Sequence, residues 1–229
     1  SLPERIEQSW NQWYKIERLA RYASPEAPRD LGETFGNVLR EAYDAGAYVD
    51  PVSFLQKLSA SDLKAVQSAH WLADPIQVDS LTEEGALNLL IPPAAQVDLN
   101  RDGLTQSGAA YGIRFPDSTT PANVATAWDN ATADMPIQDR MIYELQMKMP
   151  VLLANIIIAP DCGFSHSRSP GDVDFVNPLA ADDYSFIKVT QDWIGHLDYF
   201  KNQLDPFRYE KDRSFWSKFQ QELQASGVA

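Results

Sequence analysis

Apolar residues recur along most of this chain at spacings of three and four, the period of a helix with one buried face. The clearest stripe is Leu31, Phe35, Val38, Leu39, Ala42 and Tyr43. Asp30 with Glu33 reads as a capping box before it, and Gly46 as a left-handed stop after it. Upstream, Ile6, Trp10, Trp13 and Ala20 predict a helix over 3–23, ended by Ser24-Pro25 and Pro28. Downstream, Pro51 opens a short helix through Phe54, Leu55 and Leu58. Ser59 with Asp62 forms a second capping box, and that helix is expected to run through Val66, His70 and Trp71 to Asp74-Pro75. Thr82 or Ser80 caps a further helix, with Glu83 and Glu84 in its first turn and Pro92-Pro93 beyond its end.

In the second half, Val124, Ala127 and Trp128 predict a helix over 121–133. The stretch 135–159 is ambiguous: Met141, Leu145 and Lys148 suit a helix, whereas Ile156, Ile157 and Ile158 suit a strand equally well. The expectation is a buried helix kinked at Pro150. Residues 160–181 lack periodicity and predict a long functional or mobile loop. Phe186, Val189, Trp193, Leu197, Phe200 and Leu204 give a near-heptad seam, and Asp205-Pro206 starts a last helix through Phe215, Trp216, Phe219 and Leu223. Internal repeats are absent and strand signals are scarce. The fold class expected is all-α, a single multi-helix domain over 1–229.

Composition narrows the partners. The 229 residues hold 19 basic and 32 acidic side chains, a net charge of −13. Phosphate backbones and anionic lipid surfaces repel such a chain. The densest basic cluster, Arg208, Lys211 and Arg213, is interleaved with Glu210 and Asp212. Nucleic acid is therefore not an expected partner. The longest apolar run, Val151 to Ala159, is half the length of a membrane span, so membrane insertion is not expected either. Cys162 is the sole cysteine, which fits a reducing compartment, but many exported bacterial proteins also lack disulfides. A first residue that is Ser rather than Met leans the expected location toward an exported protein shorn of its leader.

Candidate chemistry is concentrated in two places. In the first, Asp98, Asn100 and Asp102 alternate along the chain, Gly103 follows, and Leu104 and Gln106 complete the run. Alternating oxygen-bearing side chains can converge on a hard cation, and a glycine after them permits a sharp turn. This segment resembles the first nine positions of an EF-hand calcium loop. The resemblance implies Ca2+ held by Asp98, Asn100, Asp102, the Leu104 carbonyl and Gln106. The chain departs from the pattern at the twelfth position, where Ala109 replaces a bidentate Glu; Asp117 or Asp129 could supply a substitute carboxylate. The same residues also build an Asp/Asn/Gly turn held by side-chain to backbone hydrogen bonds, with no metal. A single loop and four Met argue against a calcium sensor and for a structural clip.

In the second, Cys162 and His166 lie four residues apart in a Gly/Ser-rich segment. A thiol beside a base is the germ of a nucleophile, and His166 with Asp172 and Asp174 could ligate a metal. The plainer reading is a buried, inert cysteine next to a solvated histidine. His70 and His196 sit on helices beside Trp71 and Trp193, where boundary positions are expected. Two functions compete on these residues. One is a non-catalytic binding or interaction domain with a structural calcium site; the other is a hydrolytic enzyme built around Cys162 to Asn177.

Overall fold

The computed structural model describes residues 2–17 and 30–228. The predicted helix beyond residue 17 lies outside the described residues. Among the described residues nine α-helices dominate, with two short two-stranded antiparallel sheets, so the mostly helical expectation holds. The sequence reading takes the chain as one domain. The structure divides into two compact units, Ser1–Ile113 and Arg114–Ala229, each with its own buried cluster.

The first unit contains α1 (Leu2–Gln12), continued by a π-helical turn at Trp13–Glu17, then α2 (Leu31–Asp44), α3 (Pro51–Leu55), α4 (Ala60–Ala69) and α5 (Glu83–Leu89). Strands β1 (Thr105–Ser107) and β2 (Ala110–Gly112) close it. The stripe of α2 is buried as its spacing predicts, from Leu31 to Ala42. Asp30 makes no side-chain cap, so the capping box predicted there does not form. At Ser59 the N-cap half of the box forms: its hydroxyl accepts from the Asp62 N–H at 3.1 Å and donates to the Asp62 carboxylate at 2.6 Å. Helix α4 ends at Ala69, short of Asp74-Pro75, because His70 is the C-cap and Trp71 turns left-handed at φ +55°. Trp10 anchors the core, edge-on to Phe35 with ring centroids 4.7 Å apart, and donates its indole N–H to the Gly32 carbonyl at 2.8 Å.

The second unit contains α6 (Ala122–Thr132), α7 (Ile137–Ala154), β3 (Ile156–Ile158), β4 (Phe164–Ser167), α8 (Phe186–Phe200) and α9 (Pro206–Ala225). Its core is aromatic: Tyr143 stacks on Phe215 at 3.7 Å, and Trp193 stacks on Trp216 at 5.3 Å. Asp205 caps α9 by accepting from the Arg208 N–H, with Pro206 at the first helical position, where its missing N–H costs nothing. The ambiguity over 149–159 resolves into both structures. Helix α7 continues through Pro150 to Ala154, then Asn155 ends it and the three isoleucines form β3. Ile156 and Ile158 are exposed, so the expected buried helix is corrected there.

One ion pair in this unit is buried. Lys148 is completely buried on α7 and pairs with the nearly buried Asp117. Burial raises the Asp117 carboxyl's affinity for a proton. The Lys148 charge and hydrogen bonds from Lys148 and Thr119 outweigh it, holding Asp117 below the ordinary carboxylate range.

Candidate functional site

The Asp98 loop is built by short-range hydrogen bonds between its side chains and its own backbone. Asp98 Oδ2 accepts from the Gly103 N–H at 2.8 Å, closing a ring across five residues. Asn100 Oδ1 accepts from the Asp102 N–H at 3.0 Å, and Asp102 Oδ1 from the Leu104 N–H at 2.8 Å. The Asn100 amide also donates to Asp102 Oδ2 at 3.0 Å. Two left-handed residues, Arg101 at φ +57° and Gly103 at φ +87°, bend the chain tightly enough for these bonds. All three oxygen-bearing side chains therefore turn back onto one short ring.

The loop leaves the EF-hand pattern after this ring. An EF-hand continues into a second helix, whereas here Thr105 enters β1 and Ala109 sits exposed in the two-residue turn to β2. Gln106 is held elsewhere, its side-chain oxygen accepting from the Thr82 hydroxyl at the start of α5. Leu104 is buried. Asp117 is paired with Lys148 and accepts from both Thr119 and Thr120, and Asp129 is exposed on α6. Among the described residues no group of three His, Cys, Asp or Glu side chains is gathered to hold a metal. Any cation at the ring would depend on two carboxylates, neutral oxygens and water.

Helix α5 holds the loop from beneath, through Glu84, read from sequence only as a first-turn acid, and Asn88. Glu84 is buried; its Oε2 accepts from the Leu99 N–H at 2.9 Å and its Oε1 from the Gln106 N–H at 2.6 Å. Burial raises its carboxyl above the ordinary range, against the pull of these backbone donors and with a further push from the negative Asp98. One turn on, Asn88 is fully buried and bridges the loop's two ends. Its amide donates to the Val97 and Gln106 carbonyls at 2.7 and 2.6 Å, and its oxygen accepts from the Val97 N–H at 2.9 Å. Two polar residues four apart on an otherwise apolar helix face were the available signal.

His70 completes this floor. Its Nε2 lies 3.2 Å from the Leu89 carbonyl, and its Nδ1 lies 3.0 Å from the Gln96 amide nitrogen and 3.3 Å from the Ser107 hydroxyl. A carbonyl can only accept, so Nε2 carries the proton and Nδ1 receives the Gln96 N–H. The imidazole is thus a neutral structural bridge, well buried beneath Phe35.

The second candidate segment is more ordered than a loop. Residues 160–181 include β4, paired antiparallel with β3 through Ile156↔Ser167 and Ile157↔His166. Asn155 ties its far end, donating to the Val176 carbonyl and accepting from the Val176 N–H. Cys162 occupies the hairpin connection at φ +64° and is exposed, which corrects the expectation of a buried thiol. His166 is exposed on β4, with Nδ1 3.1 Å from the Ser165 hydroxyl. Asp172 caps the Ser169 N–H at 2.6 Å, and Asp174 pairs with Arg168 at 2.8 Å. Among the described residues these groups form no cluster of three that could hold a metal. His196 is exposed on α8, its ring 4.7 Å from that of Phe200.

Compared with known proteins, the chain matches no family model, no curated protein and no solved structure. Among the described residues no helix is long and apolar enough to cross a membrane.

Proposed function

We propose that this chain is a non-catalytic binding or interaction domain in which the Asp98–Gln106 loop is a structural calcium clip. The observation that carries the reading is the ring closed by Asp98 Oδ2 on the Gly103 N–H, with Asn100 and Asp102 folded toward each other inside it. That arrangement brings two anionic side chains and one neutral amide to a single turn. Calcium tolerates irregular shells of six to eight oxygens and accepts water in them, so Asp98, Asn100, Asp102 and the Leu104 carbonyl suit it better than magnesium, with Gln106 joining only on release from Thr82. With two carboxylates the site is weak. Its role is to fix the start of the β1–β2 hairpin over α5.

The test is a calcium titration of the full chain followed by thermal unfolding. A ligand that binds only the folded state adds about 2.7 kcal/mol at a hundredfold excess over Kd. That is a melting shift of several degrees for a chain of this size. Asp98→Ala and Asp102→Ala each abolish the shift, and Asn100→Ala, losing a neutral oxygen, weakens it less. Ala109→Glu leaves it unchanged, since that position lies in the exposed hairpin turn. Absence of any shift at millimolar calcium means that the ring is a turn and nothing more.

A further inference from the structure

Helix α7 leaves much of one apolar face exposed. Tyr143, Met147 and Val151 point into the core. On the opposite side, Ile142, Leu145, Met149 and Leu152 follow one another at spacings of three, four and three before the helix ends at Ala154. That is the 3.5-residue period of a coiled-coil seam, a pattern suited to receiving a second helix. Met141 and Leu153 flank it, and Ile158 and Phe164, register partners in the β3–β4 hairpin, extend it beyond the helix end. Met141, Ile142, Leu145, Leu153, Ile156, Ile158 and Phe164 are each 40 to 67% exposed. Taking roughly 200 Å² as the full area of a large side chain, they leave about 700 Å² of apolar surface in water. A typical monomer's largest patch is about 300–600 Å², and a stable complex buries about 800 Å² on each partner. The partly buried Met149 and Leu152 supply much of the remainder.

The charges of α7 decide what fits there. Its four ionised side chains are all engaged off this face: Asp139 with Lys211, Arg140 with Glu144, and Lys148 with Asp117. A strongly basic or acidic helix would find no counter-charge on the seam. A neutral apolar helix face of the same period would fit it, and α7 is such a face. For a chain of net charge −13, it is also a place where two copies can meet without opposing like charges. We infer that a second copy of this chain docks here, α7 against α7 across a two-fold axis, with the β3–β4 hairpins at the margin. A two-fold contact of this kind needs one self-complementary patch. The inference names the partner of the interaction reading and so rests on it, while the calcium titration probes the other half of that reading separately.

The experiment is light scattering and sedimentation of the full chain over roughly 1 to 200 μM, a range that brackets micromolar association. The wild type has twice the single-chain mass over most of that range. Leu145→Glu restores the single-chain mass and weakens association at least about a hundredfold, with an unchanged far-UV spectrum. Val49→Glu, at a residue 89% exposed in the first unit, leaves the dimer intact. Mixing Leu145→Glu with Leu145→Lys restores the double mass, which a folding defect would not do. Should Leu145→Glu fail to fold, the double variant Ile142→Gln with Met149→Gln takes its place. A wild type monomeric throughout, a dimer indifferent to these substitutions, or a monomer that takes up only a foreign amphipathic helix would overturn the proposal.

Discussion

Gly108, in the turn of the first hairpin, donates its N–H to the carbonyl of Gly85 at 2.9 Å, bringing the backbone of β1–β2 against the first turn of α5. A Cβ on Gly85 would stand 2.3 Å from the Gly108 carbonyl oxygen, and that atom is backbone and cannot swing aside. Gly85→Ala therefore pushes the hairpin off the helix and costs about 1–3 kcal/mol, the range of an overpacked core. Gly195, on α8, has nothing within 4 Å of the same atom. Gly195→Ala is expected to gain about 0.5–1 kcal/mol from helix propensity alone. Denaturant midpoints of the two variants should move in opposite directions; a neutral Gly85→Ala would mean that the hairpin is not seated on α5.

This contact marks where sequence reasoning stops. The α2 stripe was legible because five buried residues follow one helical period, and Gly46 stops it as expected. There the Ala47 N–H reaches the Ala42 carbonyl and the Gly46 N–H the Tyr43 carbonyl, a paired motif that needs a left-handed residue. The Asp98 ring was legible too, since its bonds span two to five residues. The hairpin after it was not, because Glu84, Gly85 and Asn88, which hold it, lie about twenty residues upstream. Likewise nothing local separates helix from strand at Ile156–Ile158. Asn155 settles that by bonding to Val151 on one side and Val176 on the other. The burial of Lys148 was not legible either, because the carboxylate that pairs with it lies 31 residues away.

That buried pair should govern acid stability in the second unit. Asp117 has a folded-state proton affinity below its unfolded one, so its contribution is present above the unfolded value, about 3.9. It is lost as pH falls through the lower folded value. Asp117→Asn should flatten the wild type's loss of stability below about pH 4. At neutral pH, removing one partner, as in Lys148→Ala, costs about 3–5 kcal/mol, because the other charge is left buried and unpaired. Asp117→Asn combined with Lys148→Met should cost less than the two single changes added together. Chemical denaturation from pH 2.5 to 7 measures both; strict additivity would remove the coupling.

The exposed Cys162 gives a simple solution readout. Because the thiol lies in a surface turn rather than in the core, a small disulfide reagent should modify it in the native state without denaturant. The native rate is expected within about tenfold of the unfolded rate, since access and not unfolding limits the reaction. A native rate thousands of times slower would place the side chain inside the fold.

Asn88 offers the sharpest test of how the candidate loop is held. Three hydrogen bonds of 2.6 to 2.9 Å join its side chain to the backbone at Val97 and Gln106, and it is completely buried. Asn88→Ala strands a buried N–H and two carbonyls and leaves a cavity, so a loss of about 3–5 kcal/mol is expected. Asn88→Leu restores volume without bonds and should recover little of it. Asn88→Asp keeps an acceptor for the Val97 N–H but turns a carboxylate oxygen toward two carbonyls. It should be poor at neutral pH and improve on acidification, when a protonated oxygen can donate again. The damage is also expected to be regional. Amide exchange over 97–107 should accelerate before exchange in α2 does, because the loop can open while the Trp10–Phe35 core stays packed. Uniform acceleration across the first unit would instead show that Asn88 supports the whole core, and that the loop has no separate opening.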